Sequence, residues 1–127
     1  MNRYETIVII DPELQDEERS LFLDKLTDLI SQYKGLKIIF DEWGNKRLAY
    51  EIKKKTRGFY IRIDYCGTGI LVDEMERLLR IDDRVLKYLT VLLNKNVDIE
   101  SIQEEIVKYE AEVKQPESNK IDKSEPN

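Results

Sequence analysis

A short basic stretch, residues 46–57, carries the side chains of this chain best suited to binding a ligand. It contains six lysines or arginines and one glutamate, a local net charge of +5. The cations are Lys46, Arg47, Lys53, Lys54, Lys55 and Arg57. The aromatic residues that flank or interrupt them are Trp43, Tyr50, Phe59 and Tyr60. Clustered cations attract phosphates, and aromatic rings offer faces to bases or hydrophobic seats to a partner protein. The stretch therefore favours a binding surface, with a solvated hairpin tip as the alternative.

The acidity of the chain belongs to its C-terminal part. The 127 residues have a formal net charge of -5. Residues 1–95 hold 17 basic and 17 acidic side chains, whereas residues 96–127 hold 4 and 9. This length suits one domain with an appendage. We therefore expect a folded body over residues 1–95 and an acidic tail over residues 96–127, so that the low overall pI does not argue against a basic site.

The residue types exclude most catalytic chemistry. The chain has no histidine, which removes the commonest general base and metal ligand, and its single cysteine, Cys66, has no partner for a disulfide or a zinc site. The turn at residues 67–69 lacks the context of a dinucleotide loop, and no P-loop is present. We expect a protein that is not an enzyme and binds no cofactor, no metal and no small-molecule substrate. No apolar run approaches 18 residues and the first residues lack a signal pattern, so we also expect a soluble, cytoplasmic protein that binds no membrane.

The hydrophobic pattern predicts four strands and two helices in the body. Strands are expected over residues 4–10, 37–52, 59–65 and 85–93, with a bulge or bend at Gly44 and a hairpin connection over residues 53–57. The first helix is expected to have Asp11 as N-cap and Pro12 at its first position, and to end at Gly35 in the left-handed conformation. A second, shorter helix ends near Ile81.

The order β-α-β-β-α-β is that of a ferredoxin-like α+β sandwich, a four-stranded antiparallel sheet with two helices on one face. The other face of the sheet would be open. Because side chains alternate along a strand, Val8 and Ile10 should meet the helices while Ile7 and Ile9 face solvent or a partner. Beyond residue 96 the apolar spacing predicts an amphipathic helix over about residues 98–113, followed by disorder from Gln115.

A second basic set follows the second helix. It comprises Arg77, Arg80, Arg84 and Lys87. Contact with RNA and ordinary ion pairs with nearby carboxylates both remain open for these residues.

Several motifs in order resemble the family of bacterial small-subunit ribosomal protein number six. They are Arg3-Tyr4-Glu5, Asp11-Pro12, Trp43-Gly44-x-Lys46-Arg47-Leu48-Ala49-Tyr50-x-Ile52, Gly58-Phe59-Tyr60 and Leu79-Arg80-Ile81-Asp82-Asp83-x-Val85. The resemblance covers residues 3 to about 93. It implies a ferredoxin-like constituent of the small ribosomal subunit that binds the central domain of small-subunit ribosomal RNA together with ribosomal protein number eighteen.

The resemblance and the basic stretch together give the candidate site residues. The expected RNA contacts are Arg3, Lys46, Arg47, Lys53, Lys54, Lys55, Arg57, Arg80, Arg84 and Lys87. The expected partner contacts are Ile7, Ile9, Trp43, Leu48, Tyr50, Tyr60 and Arg62. Which of Arg47 and Tyr50 touches RNA and which touches protein stays open at this stage.

Two other classes of protein share this topology. A small-molecule-sensing regulatory domain would need a polar pocket at a loop, and it would leave the lysines of the hairpin unexplained. An acylphosphatase-like enzyme would need an arginine and an asparagine at a phosphate loop, but the first strand is followed by the acidic sequence Asp11-Pro12-Glu13.

Overall fold

The computed structural model describes residues 1–114 and contains one antiparallel sheet with helices. The elements are β1 (Asn2–Ile10), α1 (Asp16–Gln32), β2 (Leu36–Ile52), β3 (Lys55–Gly67), α2 (Gly69–Ile81), β4 (Val85–Asn94) and α3 (Ile99–Lys114). The strand order is β2-β3-β1-β4, and every neighbouring pair is antiparallel. This arrangement confirms the predicted ferredoxin-like α+β fold, with β1 and β3 in the centre of the sheet.

The main core lies between the sheet and the first two helices. From β1 and β3, Val8, Ile10, Ile61, Ile63 and Tyr65 are fully buried, as the predicted alternation requires. From the helices, the largest fully buried side chains are Phe22, Leu26, Ile30, Leu71, Met75 and Leu79. Each of these stabilises the fold by about 1.5–3 kcal/mol relative to an exposed side chain. The hydroxyl groups of Thr6 and Tyr65 lie 2.9 Å apart and so satisfy each other inside this core.

The prediction that Asp11 caps α1 is wrong. Oδ1 of Asp11 accepts a hydrogen bond from the backbone N–H of Glu13 (2.9 Å), which is a local turn. The backbone N–H of Asp11 donates to the carbonyl of Arg84 (2.8 Å), so the residue is tied to the start of β4. The helix begins only at Asp16, with Gln15 as N-cap. Asp and Pro are common in turns as well as at helix starts, and tertiary contact selects the turn here.

Gly35 follows the end of α1 but is not the left-handed residue. That conformation belongs to Lys34, with φ of 60°. The glycine is needed for space, because a Cβ atom there would lie 2.6 Å from the carbonyl oxygen of Cys66. The predicted role of Gly35 is therefore wrong in mechanism, although the helix does end before it.

The connection between β2 and β3 is shorter than predicted. Lys53 and Lys54 have φ of 48° and 65°, and β3 already begins at Lys55. Two positive φ values in a two-residue loop are the geometry of a tight hairpin turn. Gly44 has φ of 97° beside a register shift in β2, which confirms the predicted bulge.

The chain divides into two units at the boundary between Val97 and Asp98. In the second unit, α3 agrees with the helix predicted over residues 98–113. Asp98 precedes it, and its carboxylate accepts hydrogen bonds from the backbone of Glu100 (3.1 Å) and the hydroxyl of Ser101 (3.0 Å). The disorder predicted from Gln115 onward lies outside the described residues.

Candidate nucleic-acid interface

The basic stretch forms the outer part of the β2–β3 hairpin, which we call the basic arm (residues 46–57). Arg47 pairs with Arg57, but the next registered pair is Ile52 with Lys55. Four residues of β2 therefore lie opposite Thr56 alone, and the arm bends. The bend allows Leu48 to point inward, where it is only 7% exposed, while Tyr50 remains 60% exposed.

Leu48 belongs to a small hydrophobic cluster on the sheet face that carries no α1 or α2 core residue. This arm cluster consists of Ile9, Leu48 and Leu86, with Ile52 and Tyr60 packed against it. Ile9 is consequently 8% exposed. The expectation that Ile9 faces solvent is wrong, because the bent arm covers it. Gly58 makes this close approach possible, since a Cβ atom there would lie 2.3 Å from Cγ2 of Ile9.

Two polar contacts also tie the arm to β4. Nζ of Lys53 donates a hydrogen bond to the carbonyl of Val85 (2.9 Å), and Nζ of Lys87 donates to the hydroxyl of Tyr50 (2.6 Å). The second contact raises the pKa of Lys87 above its ordinary value, so this side chain stays charged. The fold thus brings together candidate residues from the arm and from β4 that are more than thirty positions apart in sequence.

Four further candidate RNA contacts are held by side chains of the protein itself. Arg3 forms a bidentate pair with Asp64 (3.0 and 2.7 Å), and Arg84 forms one with Asp82 (2.9 and 2.7 Å). Lys55 lies 3.0 Å from a carboxylate oxygen of Glu13 and 3.6 Å from one of Asp11. Arg57 donates to the side chain of Asn45 (2.8 Å). Carboxylates neutralise three of the four, so these contribute less to attracting an anion.

The pKa values of these groups follow from their partners. The side-chain hydrogen bond to Asp82 raises the pKa of Arg84, and the reciprocal bond lowers the pKa of Asp82. The hydrogen bond to Glu13 raises the pKa of Lys55. All three groups therefore remain ionised at neutral pH.

The other six candidate cations are exposed and, in the part of the chain whose side chains are described, form no ion pair with a carboxylate. They are Lys46, Arg47, Lys53, Lys54, Arg80 and Lys87. Nζ of Lys46 lies 5.9 Å from the centre of the Trp43 ring, which leaves its charge available. These six cations form the candidate nucleic-acid interface, because an uncompensated positive charge is what binds phosphate.

A row of ion pairs crosses the sheet face opposite the α1 and α2 core. Arg62 lies 3.1 Å from Glu5, 3.6 Å from Asp64 and 3.8 Å from Asp41. The ring nitrogen of Trp43 donates to Asp41 (2.9 Å). Arg62, a candidate partner contact, is therefore held in place by its own sheet.

An apolar row lies beside these ion pairs on β1 and β4. Ile7 is half-buried and pairs with Leu89, which is 60% exposed, and Val91 is also exposed. Ile7, Leu89 and Lys87 are among the residues that line one shallow groove of about 180 Å³. The sequence prediction missed Leu89 and Val91. The signal was present in the apolar alternation of β4, but only the strand order shows that β4 is an edge strand beside Ile7.

Within the described residues no group of histidine, cysteine and carboxylate side chains is arranged to hold a metal ion. No helix of that region is long and apolar enough to span a membrane.

The fold and the interface together define a ferredoxin-like domain with a basic hairpin arm and a partly apolar sheet face on the side opposite α1 and α2. The family model described as Ribosomal protein S6 matches residues 3–92 of this chain. The chain belongs to the ribosomal protein S6 family, which confirms the predicted family. Membership of a family of ribosomal proteins also agrees with the prediction that the chain is not an enzyme.

Curated relatives carry the name small ribosomal subunit protein bS6. The one from Desulfatibacillum aliphaticivorans is 47% identical over 111 residues, covering 87% of this chain and 60% of the relative. The one from Geobacter sulfurreducens is 46% identical over 92 residues, covering 72% of this chain and 79% of the relative. The match therefore spans less than two thirds of the length of the first relative.

The crystal structure of 30S ribosomal protein S6 from Thermotoga maritima superposes with a TM-score of 0.68 at 24% identity. The superposition covers 86% of this chain and 97% of that chain. At this identity the likeness supports the fold.

Proposed function

We propose that this protein is a structural constituent of the small ribosomal subunit, located on cytoplasmic ribosomes. It binds the central domain of small-subunit ribosomal RNA together with ribosomal protein number eighteen. Membership of the ribosomal protein S6 family supports the placement in the subunit. We assign binding to the body, residues 1–95, and no function to the acidic tail, residues 96–127.

The observation that carries the RNA-binding proposal is the segregation of the candidate cations. Six of them are exposed without a carboxylate partner in the described region, and they cluster on the basic arm, the end of α2 and the start of β4. Carboxylates instead fix Arg3, Lys55 and Arg84 close to the body. We expect the exposed cations to contact phosphates and 2′-hydroxyls, while the cations paired with carboxylates stabilise the structure of the surface.

The sheet face opposite α1 and α2 supports a protein partner beside the RNA. It combines the ion-pair row around Arg62 with the apolar row of Ile7, Leu89 and Val91, a mixture typical of non-obligate interfaces. Lys87 lines the same groove as Ile7 and Leu89. The two surfaces therefore meet, and a partner seated on the apolar row would extend the RNA-binding surface.

The proposal is tested by mixing the full-length chain with a central-domain RNA fragment, with and without ribosomal protein number eighteen. We expect the pair to bind at least about tenfold more tightly than either protein alone, because each supplies part of one surface. A structured RNA of the same length from outside the subunit is the control. Equal affinity without the partner would refute the joint surface, and no affinity for the fragment in either mixture would refute the RNA-binding role.

A gradient experiment tests the cellular placement. In a cell lysate separated by sedimentation, the protein should travel with small subunits. Recovery only at the top of the gradient would contradict the proposed location.

A further inference from the structure

Three of the unpaired cations line one pocket. Lys53 from the tip of the basic arm, Arg80 from the last turn of α2, and Lys87 from β4 surround a cavity of about 270 Å³. The other lining residues are Leu79, Val85, Leu86 and Tyr88. None of the seven lining residues found in the described part of the chain is acidic, so the pocket carries a formal charge of +3.

The carboxylate of Asp82, just beyond α2, is already occupied. It accepts three hydrogen bonds from Arg84, one from its backbone N–H and two from its guanidinium. This pairing holds the pKa of Asp82 below its ordinary value and gives the carboxylate a cation of its own. The charge of the pocket is therefore not consumed by the acidic residue at the end of the helix that carries Arg80.

The two lysines are held in place with donors to spare. Nζ of Lys53 uses one donor on the carbonyl of Val85, and Nζ of Lys87 uses one on the hydroxyl of Tyr50. An ammonium group has three N–H donors and a guanidinium has five. Each lysine thus keeps two N–H donors for a ligand, and the guanidinium N–H groups of Arg80 can bind an acceptor with several oxygens. Holding the lysines beforehand lowers the entropy lost on binding.

We infer that this pocket is a phosphate seat, in which Lys53, Arg80 and Lys87 bind one phosphate group. The inference rests on the proposed function in that the phosphate is taken to be an RNA phosphodiester, although free phosphate has the same chemistry. The cavity is smaller than the pockets of about 300–1,000 Å³ that enclose drug-sized ligands. It suits a phosphate with its sugar, and the half-buried ring of Tyr88 offers apolar surface to the sugar.

The test is an NMR titration of the isotope-labelled full-length chain with inorganic phosphate at constant ionic strength, and separately with a short single-stranded RNA. We expect phosphate to shift the backbone amides of Lys53, Arg80 and Lys87 in preference to those of the outer arm. The RNA should shift the same amides and displace the phosphate.

Two variants have matched controls within the same elements. Lys53→Gln is compared with Lys54→Gln, because both lysines lie in the tip turn with positive φ and only Lys53 lines the pocket. Arg80→Gln is compared with Arg77→Gln on the same helix, where Arg77 pairs with Glu74. We expect the pocket variants to weaken phosphate binding about tenfold and the controls to weaken it less than about twofold.

The outcomes separate this inference from the proposed function. Loss of affinity for inorganic phosphate in the control variants equal to that in the pocket variants would overturn the phosphate seat. Absence of shifts at the pocket with both phosphate and RNA would overturn it too, even if the complex with the partner still bound the RNA fragment. Shifts with phosphate but none with RNA would support a seat for the free ion and overturn its assignment to RNA.

Discussion

Removing the side chain that anchors the basic arm should loosen the arm and reduce stability by a calculable amount. Leu48→Ala deletes three carbon atoms from a side chain that is 7% exposed and packs on Ile9 and Leu86. At about 0.8 kcal/mol for each buried carbon group, the lost transfer energy is about 2 kcal/mol. The cluster is small and lies near the surface, so we expect it to collapse partly and add little cavity cost. The total of about 2 kcal/mol is at the low end for leucine-to-alanine changes.

Urea denaturation followed by circular dichroism measures the change in the free energy of unfolding. Leu21→Ala is the matched control, since Leu21 is 66% exposed and should change stability by less than about 0.5 kcal/mol. Hydrogen exchange should also accelerate at the amides of the basic arm in Leu48→Ala. If both variants lost the same small amount of stability, the arm would not be held by this cluster, and the interface would not be preformed.

Two further predictions concern the contacts beneath the arm and inside the core. Gly58→Ala places a Cβ atom 2.3 Å from Cγ2 of Ile9, and we expect a loss of about 1–3 kcal/mol in urea denaturation, with a neutral result contradicting the close approach. Burial raises the pKa of Tyr65 to about 12 from an ordinary value of 10.0. Because the unfolded state loses this proton at a lower pH than the folded state, the free energy of unfolding should fall between pH 10 and 12. In alkaline unfolding curves, Tyr65→Phe should remove that part of the decline, and identical curves for the two proteins would contradict this prediction.

The sequence was sufficient for the fold because its strongest signals agree with the tertiary structure. The alternation in β3 correctly placed Ile61, Ile63 and Tyr65 on the helix-covered face. The apolar spacing likewise gave the helices, and the order of elements gave the topology. Such patterns follow directly from burial, so they predict the buried face of an element correctly even where the predicted ends of that element are wrong.

The errors arose where distant parts of the chain meet. Asp11 looked like a helix cap, but the carbonyl of Arg84 binds its N–H and keeps it in a turn. Ile9 looked exposed, but the bend in the arm brings Leu48 over it. Neither contact has a local sequence signature.

Contacts between distant residues also decide which candidate RNA contacts are paired with carboxylates and which are not. In sequence, Arg84 and Arg80 are equivalent members of one basic set. In the structure Asp82 holds Arg84, whereas Arg80 lines a pocket with Lys53. Charge composition locates the surface, but only the fold separates neutralised cations from available ones.

The salt dependence of RNA binding tests the central claim most directly, namely that the unpaired cations of the arm neutralise phosphates. The affinity of the protein, with ribosomal protein number eighteen, for the central-domain fragment is measured at a series of salt concentrations. The triple variant Lys46→Gln, Arg47→Gln and Lys54→Gln is compared with a control triple, Lys25→Gln, Lys34→Gln and Lys37→Gln, which removes the same charge outside the interface. A plot of the logarithm of the binding constant against the logarithm of the salt concentration falls with a slope whose magnitude grows by about 0.7–0.9 for each phosphate contact. We therefore predict a slope smaller in magnitude by about 2 in the arm variant and nearly unchanged in the control. Equal slopes for the two variants would contradict the account.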